Sequence, residues 1–369
     1  VKGKVVVVGG GVMGSACAWE LAQRGLKVVV LERSVPGAEA SSAAAGILGA
    51  EVESHAEGPL AELCRASRRL YPSWVSALGR ATGIDVEYRE CGVVQVAFGA
   101  ARARALLRAR QHQKPRPRAL DARALRRREP ELNPRLGGGL LFERDARVDP
   151  RVLFRALHVA AARAGVSFRS GAYVRRVVET RGRASGVALD DGSVVRGDHV
   201  LVAAGSWTSL VGGTGLAESA VIPARGQILQ LATPEPLLGS VVYGPRAYLV
   251  PRDDGRLLVG STVEFVGYRR EVTAGAVRDL LADAIRTVPR LADAALADSW
   301  SSFRPYTKDE LPLIGRSALN GLWFASGHYR NGILLAPVTA AIVSALMRGA
   351  RPPLSVAAFS PDRTRPDSR

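Results

Sequence analysis

Gly9, Gly11 and Gly14 fall in the run Gly9-Gly10-Gly11-Val12-Met13-Gly14, directly after the apolar run Lys4–Val8. That spacing, G-x-G-x-x-G, suits a phosphate-rich ligand. The first glycine permits a tight turn, the second lets the main chain approach a pyrophosphate, and the third lets helix and strand pack closely. The negative charge then rests on free N–H groups at the helix N-terminus, around Val12 and Met13. Glu32 closes the next apolar run, Lys27–Leu31, with Arg33 beside it. A carboxylate there accepts hydrogen bonds from adenosine ribose hydroxyls and repels a 2′-phosphate. The motif alone is weak in a chain with 39 glycines. Its place between strand and helix, with the acid downstream, predicts a dinucleotide site.

Three further segments favour FAD over NAD. Ala40–Leu48 is built of small residues, among them Ser41, Ser42, Ala45, Gly46 and Ile47, so main chain and hydroxyls can lie along a planar ligand. Val200–Trp207, ending in Ala204, Gly205 and Trp207, resembles the strand that closes over FAD in many flavoproteins. Gly327, His328, Asn331, Gly332 and Ile333 lead into an apolar helical run. A helix N-terminus there stabilises negative charge on the reduced flavin. Val174 completes the expected cofactor contacts.

Elements must hold these residues. The patterning predicts strands over 4–8 and 27–31 flanking a helix over 12–24, with Gly25 as its C-cap glycine. A helix is expected over 60–80, a strand over 88–98, two basic helices over 100–130 and a helix over 149–165. Strands over 166–180, 184–190 and 193–203 follow, the last two joined by Asp190-Asp191-Gly192. A strand-rich stretch, 221–265, turns at Asp253-Asp254-Gly255. A helix over 273–288, a strand over 321–326, a helix over 333–348 and a tail from Gly349 complete the chain. The fold class is α/β: a discontinuous Rossmann-like FAD-binding domain (1–84, 147–220 and 301–369). Into it is inserted an α+β, antiparallel-rich substrate domain (85–146 and 221–300).

Composition narrows the function classes. The 369 residues, 47% hydrophobic and 23% charged, suffice for a large core without disulfides. Cys17, Cys64 and Cys91 show no C-x-x-C spacing, which argues against a disulfide framework or a metal site and fits a reducing cytoplasm. The Val5–Val8 run leads into glycines and reads as a strand, not an export signal. Ile333–Met347 carries Pro337 and reads as a buried helix rather than a membrane span. The net charge of +17 is concentrated where eleven Arg and Lys between Arg102 and Arg128 face one acid, Asp121. No aromatic residue interleaves them from 100 to 141 to stack bases, so solvated basic helices are expected rather than a nucleic-acid surface.

Taken together, the glycine fingerprint, Ser42–Ala50, Ile222–Gln227, Tyr248–Arg252, Arg304–Gly315 and Gly327–Pro337 resemble the D-amino-acid oxidase family of FAD enzymes, specifically its glycine oxidases. The likeness runs from residue 3 to 348, and Gly-His-Tyr-Arg-Asn-Gly-Ile-Leu-Leu-Ala-Pro is its most specific piece. It implies noncovalent FAD, oxidation of small amines or amino acids, oxygen as acceptor with peroxide formed, a supply of imine for thiamine thiazole synthesis, and a homo-oligomer, often a tetramer. Related enzymes that attach flavin through a C-terminal cysteine or an N-terminal histidine differ from this chain. It has no cysteine after Cys91 and carries Ala43 at the histidine position.

The resemblance also assigns residues. Arg304 matches the carboxylate-binding arginine, whose planar fork grips two oxygens. Tyr248 matches a substrate-contacting tyrosine, and Arg330 a second arginine on the reactive side of the flavin. His328 is expected to shape the loop rather than act as a base. Two positions depart from the pattern: Arg246 stands where a histidine is usual, and Val263 where a longer methionine-like side chain is usual. A shorter Val263 predicts room for larger D-amino acids. Alternatives are a D-amino-acid dehydrogenase with a quinone acceptor and an FAD enzyme modifying a tRNA wobble uridine.

Overall fold

The computed structural model describes residues 3–54 and 56–364. Residues 1, 2 and 365–369, at the outer limits of the expected FAD-binding segments, lie outside it, as does residue 55. Strands Lys4–Val8 and Lys27–Leu31 pair in parallel with the helix Val12–Gln23 between them. Val5, Val7 and Val30 are buried on one face of this unit, and Val6, Val29 and Leu31 on the other. A strand covered on both faces reads as a continuous apolar run, which is what the two segments are. The sheet grows to six strands in the order Leu313–Arg316, Leu322–Ser326, His199–Val202, Lys4–Val8, Lys27–Leu31, Ser167–Arg169. Leu313–Arg316 alone runs antiparallel to its neighbour.

Helices Val12–Gln23, Pro59–Thr82, Pro150–Arg163 and Gly332–Met347 cover one face. A three-stranded antiparallel sheet, Val174–Thr180, Arg183–Leu189 and Val194–Arg196, packs on the other. Asp190-Asp191-Gly192 turns its second hairpin as expected. The expected 193–203 strand is therefore two strands in different sheets, and 166–180 likewise splits.

The helical stretch Tyr329–Met347 is long and apolar enough, by length and composition, to cross a membrane, but it is mostly buried inside the protein, its helix Gly332–Met347 packed against the first two of those helices. Pro337 has no N–H to offer Ile333, and the Ile333 carbonyl instead accepts the Tyr71 hydroxyl at 2.8 Å. The adjacent Leu334 carbonyl accepts from Ser67 Oγ at 2.6 Å.

An eight-stranded sheet stands beside this layer, in the order Ala295–Tyr306, Ile222–Ala232, Arg256–Gly260, Tyr248–Pro251, Val241–Tyr243, Val93–Phe98, Leu136–Phe142, Arg118–Asp121. All neighbours are antiparallel except Val241–Tyr243 with Val93–Phe98. The basic segment holds helices Ala100–Ala109 and Ala122–Arg128, as expected, but with the unexpected Arg118–Asp121 strand between them. Asp121 caps the second helix, accepting from Ala124 N at 2.7 Å. The expected strand over 88–98 begins only at Val93. Strand Ala295–Tyr306, also unexpected, carries residues 301–306 into this sheet.

Candidate active site

One cavity runs between the six-stranded sheet and the inner face of the eight-stranded one. At its first end Gly9, Gly11, Val12, Met13, Glu32 and Arg33 line it. Gly9 has φ +104°, which an L side chain rarely adopts. Gly14 does not line the cavity, and its role is contact. A Cβ there would lie 2.0 Å from the Gly9 carbonyl oxygen. Glu32 is fixed by Gly10 N at 2.8 Å and Ser34 N at 3.0 Å, so its carboxylate is already oriented. Val12 N donates to Ser41 Oγ at 2.8 Å, tying the small-residue segment to the helix start. Arg33 stacks on the Trp207 ring, 3.7 Å from its centroid, and pairs with Glu39.

Ser41, Ala45, Gly46, Ile47, Val174, Ala204, Gly205, Trp207, His328, Asn331, Gly332 and Ile333 continue the lining. Ser42 and Gly327 do not. The Ser42 carbonyl accepts from Arg151 Nε at 3.3 Å, and Gly327 turns the chain against Thr307. His328 is buried, and burial lowers its imidazole to about 3, so the ring is neutral. Its Nε2 lies 3.1 Å from Thr339 Oγ1, which ties the loop to the helix it precedes. That geometry suits a loop-shaping residue better than a base.

At the far end the eight-stranded sheet supplies the side chains. A cross-strand row runs Trp300, Ile228, Gly260, Tyr248, Tyr243, each directly paired with the next. Paired residues share a face, and this face meets the cavity. Ser302 and Arg304 follow Trp300 on it at period two. Two glycines leave the space. A Cβ on Gly226 would lie 2.3 Å from Arg304 Nη1, and one on Gly260 would lie 2.6 Å from the Tyr248 ring. Arg304 donates to the Thr262 carbonyl at 3.0 Å and to Ser261 Oγ, and has no acid within 4 Å among the described residues.

Arg330 also lines the cavity, but it is paired: Nε lies 3.0 Å from Glu53 Oε2. Burial works against its charge, yet Glu53 outweighs burial and holds the guanidinium above its ordinary range. Tyr243 donates its hydroxyl to the same carboxylate; burial first, then Glu53, push that hydroxyl well above its usual range.

Two expectations require correction. Val263 is 41% exposed and is not among the lining residues. The chain leaves its strand at Gly260, Ser261 and Thr262 turn to Arg304 and Gln227, and the next side chain points outward. Arg246 is exposed beside Phe98, Pro245 and Arg286 in a separate recess. Asp283 fixes its backbone N at 3.1 Å. Sequence reasoning missed Glu53, Tyr243 and Gly226. Period-two patterning across 241–243 and 226–228 was the available signal for the last two, while Glu53 sits in a turn with no motif.

Residues 4–346 match the family described as DAO, FAD dependent oxidoreductase. The chain is 39% identical over 366 residues to the bifunctional protein ThiO/ThiG of Synechocystis sp., covering 97% of this chain and 54% of that one. It thus spans about half the length of such bifunctional relatives. Glycine oxidase of Geobacillus kaustophilus is 36% identical over 368 residues, which is 96% of each chain. The crystal structure of glycine oxidase from Geobacillus kaustophilus superposes with a TM-score of 0.91, covering 97% of this chain and 98% of that one.

Proposed function

The chain belongs to the FAD-dependent oxidoreductase family, and from that premise we propose that it oxidises glycine and other small amines or D-amino acids. The products would be an imine, which hydrolyses to the 2-oxo acid and ammonia or passes to thiazole synthesis, and hydrogen peroxide from oxygen. The observation that carries this reading is Arg304, a guanidinium fork without an acidic partner among the described residues, in the same cavity as the glycine fingerprint.

The residues fit the cofactor along the whole cavity. The oriented Glu32 carboxylate and the Gly11–Met13 backbone suit the adenosine and pyrophosphate end. The cavity continues past the Ala43–Ile47 main chain to Tyr248 and Arg304. FAD, when bound, would supply the acceptor for one hydride, which carries the two electrons of the oxidation. The chain's part is orientation and electrostatics. Arg304 grips the substrate carboxylate with two N–H groups, and Tyr248 adds a hydroxyl donor. Neutral His328 holds the loop and takes no proton at neutral pH. We read residues 1–84, 147–220 and 301–369 as the FAD-binding part and 85–146 and 221–300 as the substrate part, with 301–306 contributing strand to the latter.

The test is anaerobic flavin bleaching and aerobic peroxide release with glycine, sarcosine, D-alanine and D-proline. Bleaching and peroxide with glycine are expected. A flavin that none of the four reduces would overturn the proposal.

A further inference from the structure

Among the described residues, three arginines line the cavity: Arg33, Arg304 and Arg330. Arg33 has Glu39. Arg330 has Glu53, with Nη2 to Oε1 at 3.0 Å as well as Nε to Oε2 at 3.0 Å, a two-point pairing of fork and carboxylate. Arg304 touches only neutral oxygens among the described residues. Glu53 is held by its backbone N, which donates to the Gly49 carbonyl at 3.2 Å, and by the Tyr243 hydroxyl from the opposite sheet. Its charge therefore sits fixed on the cavity wall.

We propose that Glu53 sets how many carboxylates the cavity accepts: by neutralising Arg330 it leaves Arg304 as the one unpaired fork among the described lining residues, so the site selects monocarboxylate amines over dicarboxylate ones. A second ligand carboxylate reaching Arg330 meets the Glu53 charge at ion-pair distance. Like charges so placed exclude a partner more strongly than lost contacts do. Glutamine at this position keeps the shape and an oxygen for the Tyr243 hydroxyl, and frees one positive charge. The proposal rests on the carboxylate-binding reading of Arg304.

The experiment uses FAD-loaded enzyme, wild type and Glu53→Gln, checked for equal flavin content. Acetate and malonate are titrated against the flavin absorbance spectrum, and kcat/KM is measured for glycine and for iminodiacetate, which is glycine with a second carboxymethyl arm. In Glu53→Gln the preference for malonate over acetate, and for iminodiacetate over glycine, should rise by at least about tenfold. Glu53→Asp should stay near wild type. A uniform loss for all four ligands would assign Glu53 to holding Arg330 in place and overturn the proposal, as would unchanged ratios. If Glu53→Gln fails to retain flavin, Arg330→Gln tests the other partner. It leaves Glu53 unneutralised, so the malonate-to-acetate preference must fall below wild type, and an unchanged preference overturns the idea. Wild-type enzyme that binds no acetate and oxidises no glycine would instead sink the functional reading.

Discussion

Arg304 is aimed by its neighbours: the Thr262 carbonyl and Ser261 Oγ take one N–H from each terminal nitrogen. Arg304→Leu should keep FAD and lose roughly 30- to several-thousand-fold in kcat/KM for glycine, the cost of removing one partner of a desolvated ion pair. A neutral amine without a carboxylate should be nearly indifferent to the change. Survival of glycine turnover within about threefold would make Arg304 a structural residue. Gly226→Ala probes the same group by volume, since its Cβ would overlap Arg304 Nη1. Moving the fork by about an ångström should cost roughly 10- to 100-fold in glycine oxidation with flavin retained. His328 makes a pH prediction. Burial lowers its folded-state value from 6.5 to about 3, so between those values the unfolded chain binds more protons. Stability should therefore fall as pH drops from about 6.5 toward 3. Denaturation midpoints at pH 7, 5 and 4 should fall less in His328→Gln, and equal slopes would show that the ring is not held neutral.

The strand, turn and helix over residues 4–23 were readable because one glycine run satisfies both backbone conformation and close packing. Gly14→Val places atoms where the Gly9 carbonyl oxygen stands. It should destabilise the protein by about 1–3 kcal/mol and weaken FAD retention, read as melting temperature and flavin content after gel filtration. Other elements misled for definite reasons. Residues 88–98 alternate in hydrophobicity, but Gly92 at φ +72° breaks the extended run, and the strand starts after it. Ala295–Tyr306 exposes its first five residues, so no alternation announces it. Backbone pairing to Ile222–Ala232 makes it a strand. That pairing is what positions Arg304.

At the scale of the whole molecule, the cysteines stay away from the cavity. Cys17 and Cys64 are buried, and burial pushes the Cys64 thiol up to about 12, so neither is a flavin attachment point. The protein should be yellow, and acid precipitation should leave all its FAD in solution; flavin retained in the pellet would contradict noncovalent binding. Because the cavity joins both sheets, added FAD should raise the melting temperature, by a stability gain of about 2.7 kcal/mol at a hundredfold excess over Kd. The glycine fingerprint, Glu32 and the small-residue segment were legible in the sequence. Their place along the cavity follows from local backbone geometry and from neighbours within some forty positions. Arg304, Tyr248 and Arg330 were legible through resemblance alone, since nothing local distinguishes an arginine with a free fork from a paired one. The tertiary structure decided that difference. Glu53 arrives from a turn 277 residues away in the chain to neutralise Arg330, while among the described residues Arg304 meets only neutral oxygens. The same long-range packing turned Val263 and Arg246 out of the cavity, because a side chain's direction depends on where its strand ends and what its neighbours bond.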